Sequence, residues 1–121
     1  MKVVIVTGSR NWKDPNTIGR ALGNISPDLI IHGDAKGADS IANEWAALHD
    51  CFCIRMPANW EKDGKAAGPI RNSGMIKLGT VLKYFGHDVK VLAFLRPESI
   101  GTRDCIKRAE HANIELEVFN E

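Results

Sequence analysis

Val3–Val6 is an unbroken β-branched run that stops at Thr7-Gly8. Without alternation of polar and apolar positions, it predicts a strand buried on both faces. Leu29–His32, Phe52–Met56, Val91–Leu95 and Leu116–Phe119 predict four more. The stretches between them change period. Ile41, Ala42, Trp45, Ala46 and Leu48 fall on one helical face. Asp14-Pro15 has the pattern of an N-cap followed by proline at the first helical position, opening a helix that runs to Leu22 or Gly23. Pro57–Ala67 reads as polar loop. Gly68-Pro69 opens another helix, with Ile70, Met75 and Ile76 to bury. Gly79–Asp88 has the least regular pattern and predicts a short extra helix around Val81–Phe85, and Thr102–Ala112 a last helix stopped by Asn113.

Strands and helices therefore alternate, which calls for a parallel sheet with right-handed crossovers and helices on both faces. The expectation is a single α/β domain over residues 1–121, a small doubly wound (Rossmann-like) sheet with a strand for each of the five runs. Ligands of such sheets bind beyond the carboxyl ends of the strands.

Charge and composition narrow the function. Sixteen basic and fifteen acidic residues leave a net charge of +1. No global field draws the chain to nucleic acid or membrane, so an anion site must be local. The longest apolar runs are too short to span a bilayer. Met1-Lys2 leads directly into a strand without a signal-peptide pattern, so a cytoplasmic location is expected. Cys51 and Cys53 form a CxC on a strand, and Cys105 stands apart. This spacing suits neither a disulfide framework nor a zinc ribbon, and buried structural thiols are expected. His32, His49, His87 and His111 form no HxH or HExxH group, so no metal site is expected. Neither GxGxxG nor GxxxxGK[ST] occurs, which argues against a dinucleotide fold fingerprint and a P-loop. No cofactor is implied.

The loops at the strand ends are more informative. "TGSRNW" comes after the first strand, "GDAKGAD" after the second, "NWEKDGKAAGPIRN" after the third and "RPESIGT" after the fourth. All four loops fall on one edge of the expected sheet. Glycines let a backbone approach a ligand, and helix starts present a positive dipole end. One helix start supplies only about 0.3–1 kcal/mol, so an anion site needs charged donors. Arg10, Lys36, Lys65 and Arg71 are the available ones.

Each loop also has a plainer reading. Gly8 and Gly33 serve tight turns as readily as ligand contact. For Asp39 taken alone, a first-turn carboxylate complementing the helix dipole is the simpler role; the alternative is an acceptor for ribose hydroxyls. Trp60, in a loop full of charge, is either a core anchor or a ring for stacking on a base. Arg71-Asn72 falls in the first turn of the helix opened by Pro69, where an arginine opposes the dipole and a bound anion or nearby carboxylate explains it best. Ser99 and Thr102 have the plain alternative of capping the following helix.

Taken together, "TGSRNW", "IHGDAKGADSIANEWA", "ANWEKDGKAAGPIRNSGM" and "SIGTRDCIKRAEHANI" resemble, in order and spacing, the YspA-like (cpYpsA-related) family of the SLOG superfamily. The likeness covers nearly the whole chain, except a stretch near Gly79–Lys90 that resembles an insertion. It implies a Rossmann-like sheet in a bacterial or phage protein and a site for a nucleotide or nucleotide-derived ligand. Position by position, it implies ligand-binding roles for Gly8, Ser9 and Arg10 in the first loop and for Gly33, Lys36, Gly37 and Asp39 in the second. It implies the same for Trp60, Lys65, Gly68, Arg71 and Asn72 in the third, and for Ser99, Gly101 and Thr102 in the fourth.

One departure limits the implied chemistry. Related phosphoribohydrolases carry PGGxGTxxE with a catalytic glutamate. Here Pro97-Glu98-Ser99 lies over the PGG, and Cys105 stands where that glutamate would be. Asp104 is adjacent but about 100° round the helix. The expectation is thus a binding protein, a sensor or sequestering protein for a phosphorylated nucleotide-like small molecule. The competing readings are a nucleoside-monophosphate N-glycosidase using Asp39 or Asp104, and a DprA-like single-stranded DNA binder. The small charge and few loop aromatics argue against the latter. Small size with an exposed helix face fits a homodimer or higher homo-oligomer.

Overall fold

In the computed structural model, which describes residues 1–121, Val3–Val6 lies at the centre of strand β1 (Lys2–Gly8) and is fully buried. β1 is flanked by β2 (Leu29–His32) and β4 (Asp88–Leu95), with β3 (Phe52–Arg55) and β5 (Glu115–Asn120) at the edges. The five strands are all parallel, in the order β3-β2-β1-β4-β5. The register places Ile5 opposite Ile31 on one side and Val91 on the other.

Side chains alternate across the sheet, so each face has its own core. Val4, Val6, Ile30, Leu92 and Phe94 pack against α1 (Pro15–Ile25) and α2 (Ala38–Leu48). Val3, Ile5, Ile31 and Val91 pack against α4 (Ala67–Tyr84) and α5 (Ile100–His111). α1 starts where Asp14 caps it: one carboxylate oxygen accepts from Asn16 N at 2.9 Å, the other from Thr17 Oγ1 at 2.8 Å.

Three expectations need correction. Pro57–Ala67 is not simply loop: α3 (Trp60–Asp63) and a 3-10 turn (Gly64–Ala66) run into α4, and the Asn59 side chain caps α3 by accepting from Lys62 N at 3.1 Å. Gly79–Asp88 holds no separate helix. α4 continues through Tyr84 because Gly79 marks a close crossing, where a Cβ would lie 2.6 Å from Ile5 Cδ1. Of the cysteines only Cys105 is buried; Cys53, within the edge strand β3, and Cys51, just before it, are half-buried.

Candidate functional site

β1 leads to β2 on one side of the sheet and β4 leads to β5 on the other, so the loops after β1 and β4 diverge. A crevice opens at such a point. Here it is a cavity of about 300 Å³, walled by Thr7–Asn11 at the end of β1 and Glu98–Thr102 after β4, with Ala35, Asp39, Arg71, Asn72 and Met75 completing it.

Of the expected residues, Gly8, Ser9, Arg10, Asp39, Arg71, Asn72, Ser99, Gly101 and Thr102 line this cavity. Gly33 and Gly37 stand behind the wall. A Cβ on Gly33 would strike the Arg71 guanidinium, and Gly37, at φ 75°, brings the second loop against Ser9 O. These two glycines fit loop to loop. Lys36 and Lys65 are exposed and outside the lining, and Gly68 is buried next to the Trp60 ring. Trp60 is half-exposed and reaches the site only through Arg10, whose guanidinium lies 5.4 Å from its ring centroid. Asn11 and Glu98, not singled out from sequence, also line the cavity. Their loops were visible as motifs, but their mutual contact was not.

Asp39 sits in the first turn of α2 with only 4% exposure. Its Oδ2 accepts from Gly33 N at 3.0 Å and Ala35 N at 3.3 Å, bracing the second loop. Its Oδ1 is buried without any partner. Burial pushes the Asp39 carboxyl up to about 6, although nearby His32 first, and then the loop N–H groups and Arg71, oppose the rise. A buried acceptor left unpaired costs roughly 1–3 kcal/mol.

Arg71 lies one turn inside α4 rather than at its start, because helical backbone already precedes it. It has no carboxylate within ion-pair distance. Nη1 donates to Gly33 O and Nε to Asn72 Oδ1 at 3.0 Å. Asn72 in turn donates to Gly101 O and Asp104 Oδ2, both at 3.1 Å. Asp104 also accepts from Arg108 Nε at 2.9 Å and stands outside the cavity lining.

The start of α5 is open. Ser99 occupies the N-cap position but does not cap; its Oγ accepts from Arg96 N at 3.2 Å. The N–H groups of Gly101 and Thr102 meet no protein acceptor, and a Cβ on Gly101 would face empty space. At the rim, Glu98 Oε1 accepts from Arg96 Nε at 2.9 Å and Asn11 Nδ2 at 3.2 Å. The Arg96 contact holds the Glu98 carboxyl below its ordinary range.

Residues 2–62 match the YAcAr family, described as the YspA, cpYpsA-related SLOG family. The whole chain is also 38% identical, over 131 aligned residues, to the gene 61 protein of Mycobacterium phage D29, covering 98% of that protein. The chain belongs to the YAcAr family.

The YAcAr fold here is similar to that of DNA processing protein A (DprA) from Streptococcus pneumoniae, with a TM-score of 0.76 at 16% identity. The match covers 98% of this chain and 50% of DprA, so the chain spans half the length of that protein. In this YAcAr member Cys105 lies wholly buried on the inner side of α5, its thiol pushed up to about 11 by burial. It is no substitute for an acid.

Proposed function

We propose that this YAcAr protein binds a nucleotide or nucleotide-derived phosphorylated small molecule at the carboxyl edge of its sheet, as a sensor or sequestering protein. The observation that carries the reading is the pairing, within one cavity, of the open α5 start with the unpartnered Asp39 Oδ1. The free N–H groups of Gly101 and Thr102 suit a phosphate oxygen. Asp39 Oδ1 suits a hydroxyl donor such as a ribose, and Arg10 and Arg71 bring positive charge to the lining of the same cavity. Arg10 and Trp60 form a cation–aromatic pair against which a base can lie. Two tests apply. Native mass spectrometry of protein purified from cells is expected to reveal a bound nucleotide-like mass. Thermal shifts with a nucleotide panel are expected to raise Tm. No co-purifying mass and no stabilisation by any nucleotide would remove the reading.

One observation favours a second reading, hydrolysis of a nucleoside monophosphate. Asp39 at about 6 lies in the range useful to a general acid or base. Against it, Cys105 leaves the glutamate position without an acid, and Asp104 is held by Asn72 and Arg108. No release of free base from AMP or GMP is expected by chromatography. Sustained release that Asp39→Asn abolishes would reinstate the hydrolase.

A further inference from the structure

The charges facing the cavity nearly cancel. Arg10 and Arg71 line it, and so do the carboxylates of Asp39 and Glu98. Polyphosphate sites normally gather several cations or metal ions around the chain of phosphates. Here the start of α5 offers the two unclaimed N–H groups of Gly101 and Thr102. Independently of that helix, Asp39 also lines the cavity and has its Oδ1 buried without a partner.

Glu98 is the second carboxylate of the lining. It directly precedes Ser99, so its carboxylate stands at the same end of α5 as the free donors. It does not swing freely: Asn11 from the first loop and Arg96 from its own loop both hold Oε1. Arg96 cannot neutralise the rim, because Nη1 also binds Glu121 Oε1 at 2.7 Å, leaving one guanidinium between two carboxylates. The cavity that holds these donors is lined by Asp39 and Met75 and also by Glu98, so a phosphate chain extending from α5 within it has a carboxylate on either side.

We infer that the site takes a ligand carrying one phosphate group, and that Glu98 is the residue that rejects a second. This inference rests on the nucleotide reading above and specifies its ligand class.

Calorimetry in EDTA with AMP, ADP and ATP, and with the guanine, cytosine and uracil series, measures the discrimination. Orthophosphate and pyrophosphate, tested by thermal shift, give a comparison independent of the base. For whichever base binds, the diphosphate is expected to bind about tenfold or more weakly than the monophosphate, an effect within reach of one fixed charge near the surface. Glu98→Gln, with Glu98→Ala as a second variant if the first is unstable, is expected to bring that ratio to about threefold or less. Equal wild-type affinity for mono- and diphosphates overturns the one-phosphate inference and leaves the nucleotide reading standing. An unchanged ratio in both variants removes Glu98 as the discriminating residue. Failure of every nucleotide and of phosphate to bind overturns the inference together with the reading beneath it.

Discussion

Asp39 uses its two oxygens differently. Oδ2 ties the second loop to α2, while Oδ1 is buried with nothing to accept from. The folded protein holds the Asp39 proton to about pH 6, whereas the ordinary value is 3.8. Between those values the folded state binds more protons than the unfolded chain. Stability contributed by this residue therefore falls as pH rises through that window and levels off above it, by up to roughly 3 kcal/mol. Asp39→Asn is expected to remove this slope, as read from the difference in urea midpoints between pH 4 and 7. Parallel curves would show that Asp39 does not titrate in that window. Arg71→Ala is expected to lower Tm without ligand, because Gly33 O and Asn72 Oδ1 both lose a charged donor, at roughly 1.5–3 kcal/mol for such bonds. That differs from what a helix-start arginine with only solvent beside it would do. The sequence motif made Asp39 and Arg71 visible as candidates. It could not show that one oxygen of Asp39 would be orphaned, because that depends on how α2 docks. Nor could it pair Asn11 with Glu98 across 87 residues.

At the scale of elements, the βα loops fit into one another before they meet any ligand. Gly37 adopts φ 75°, and a Cβ there would lie 2.3 Å from Ser9 O. Ala38 N also donates to Ser9 O at 3.1 Å, joining the first two loops by their backbones. Gly37→Ala is expected to cost about 1–3 kcal/mol through backbone strain alone, read as a lower denaturant midpoint, and to weaken any ligand that uses Ser9 or Arg10. Gly23→Ala, with open space around it, is the contrasting control. The strands and α1, α2 and α5 were legible from their apolar patterns, reinforced at α1 by the Asp14 cap. The opening of α4 and its buried Met75 and Ile76 were legible too, but Ile70 is exposed. The length of α4 was hidden, because Gly79 reads as a break in sequence and acts as a contact point in the fold. The α3 turn was hidden by its polar residues, none of which is buried.

For the whole molecule, the parallel topology was legible in the strand–helix alternation, and the resemblance in the loops identified the family. Nothing in the chain spells out a ligand, because the cavity is assembled from segments that meet only after folding. No helix is long and apolar enough to cross a membrane. The fold is shared with a DNA-processing protein, but the net charge is +1 and the cavity lining holds as many carboxylates as arginines. Single-stranded DNA is therefore expected to bind weakly, since the salt-dependent phosphate term supplies nearly all non-specific affinity. Fluorescence anisotropy across a salt series checks this. Submicromolar binding at physiological salt, falling steeply as salt rises, would favour a nucleic-acid surface over the small cavity.

The pairing of β1 with β4 sets Val3 beside Val89 at the middle of the sheet. On a ribosome, β1, β2 and β3 emerge first, and β1 keeps one edge bare until β4 arrives. At roughly 5–20 residues per second that interval lasts seconds. During it the nascent chain exposes Val3–Val6, the most β-prone edge it possesses, as a template for wrong partners. The cavity comes into being only when that edge closes, so the step that ends the hazard in biosynthetic folding is also the one that makes the protein competent to bind.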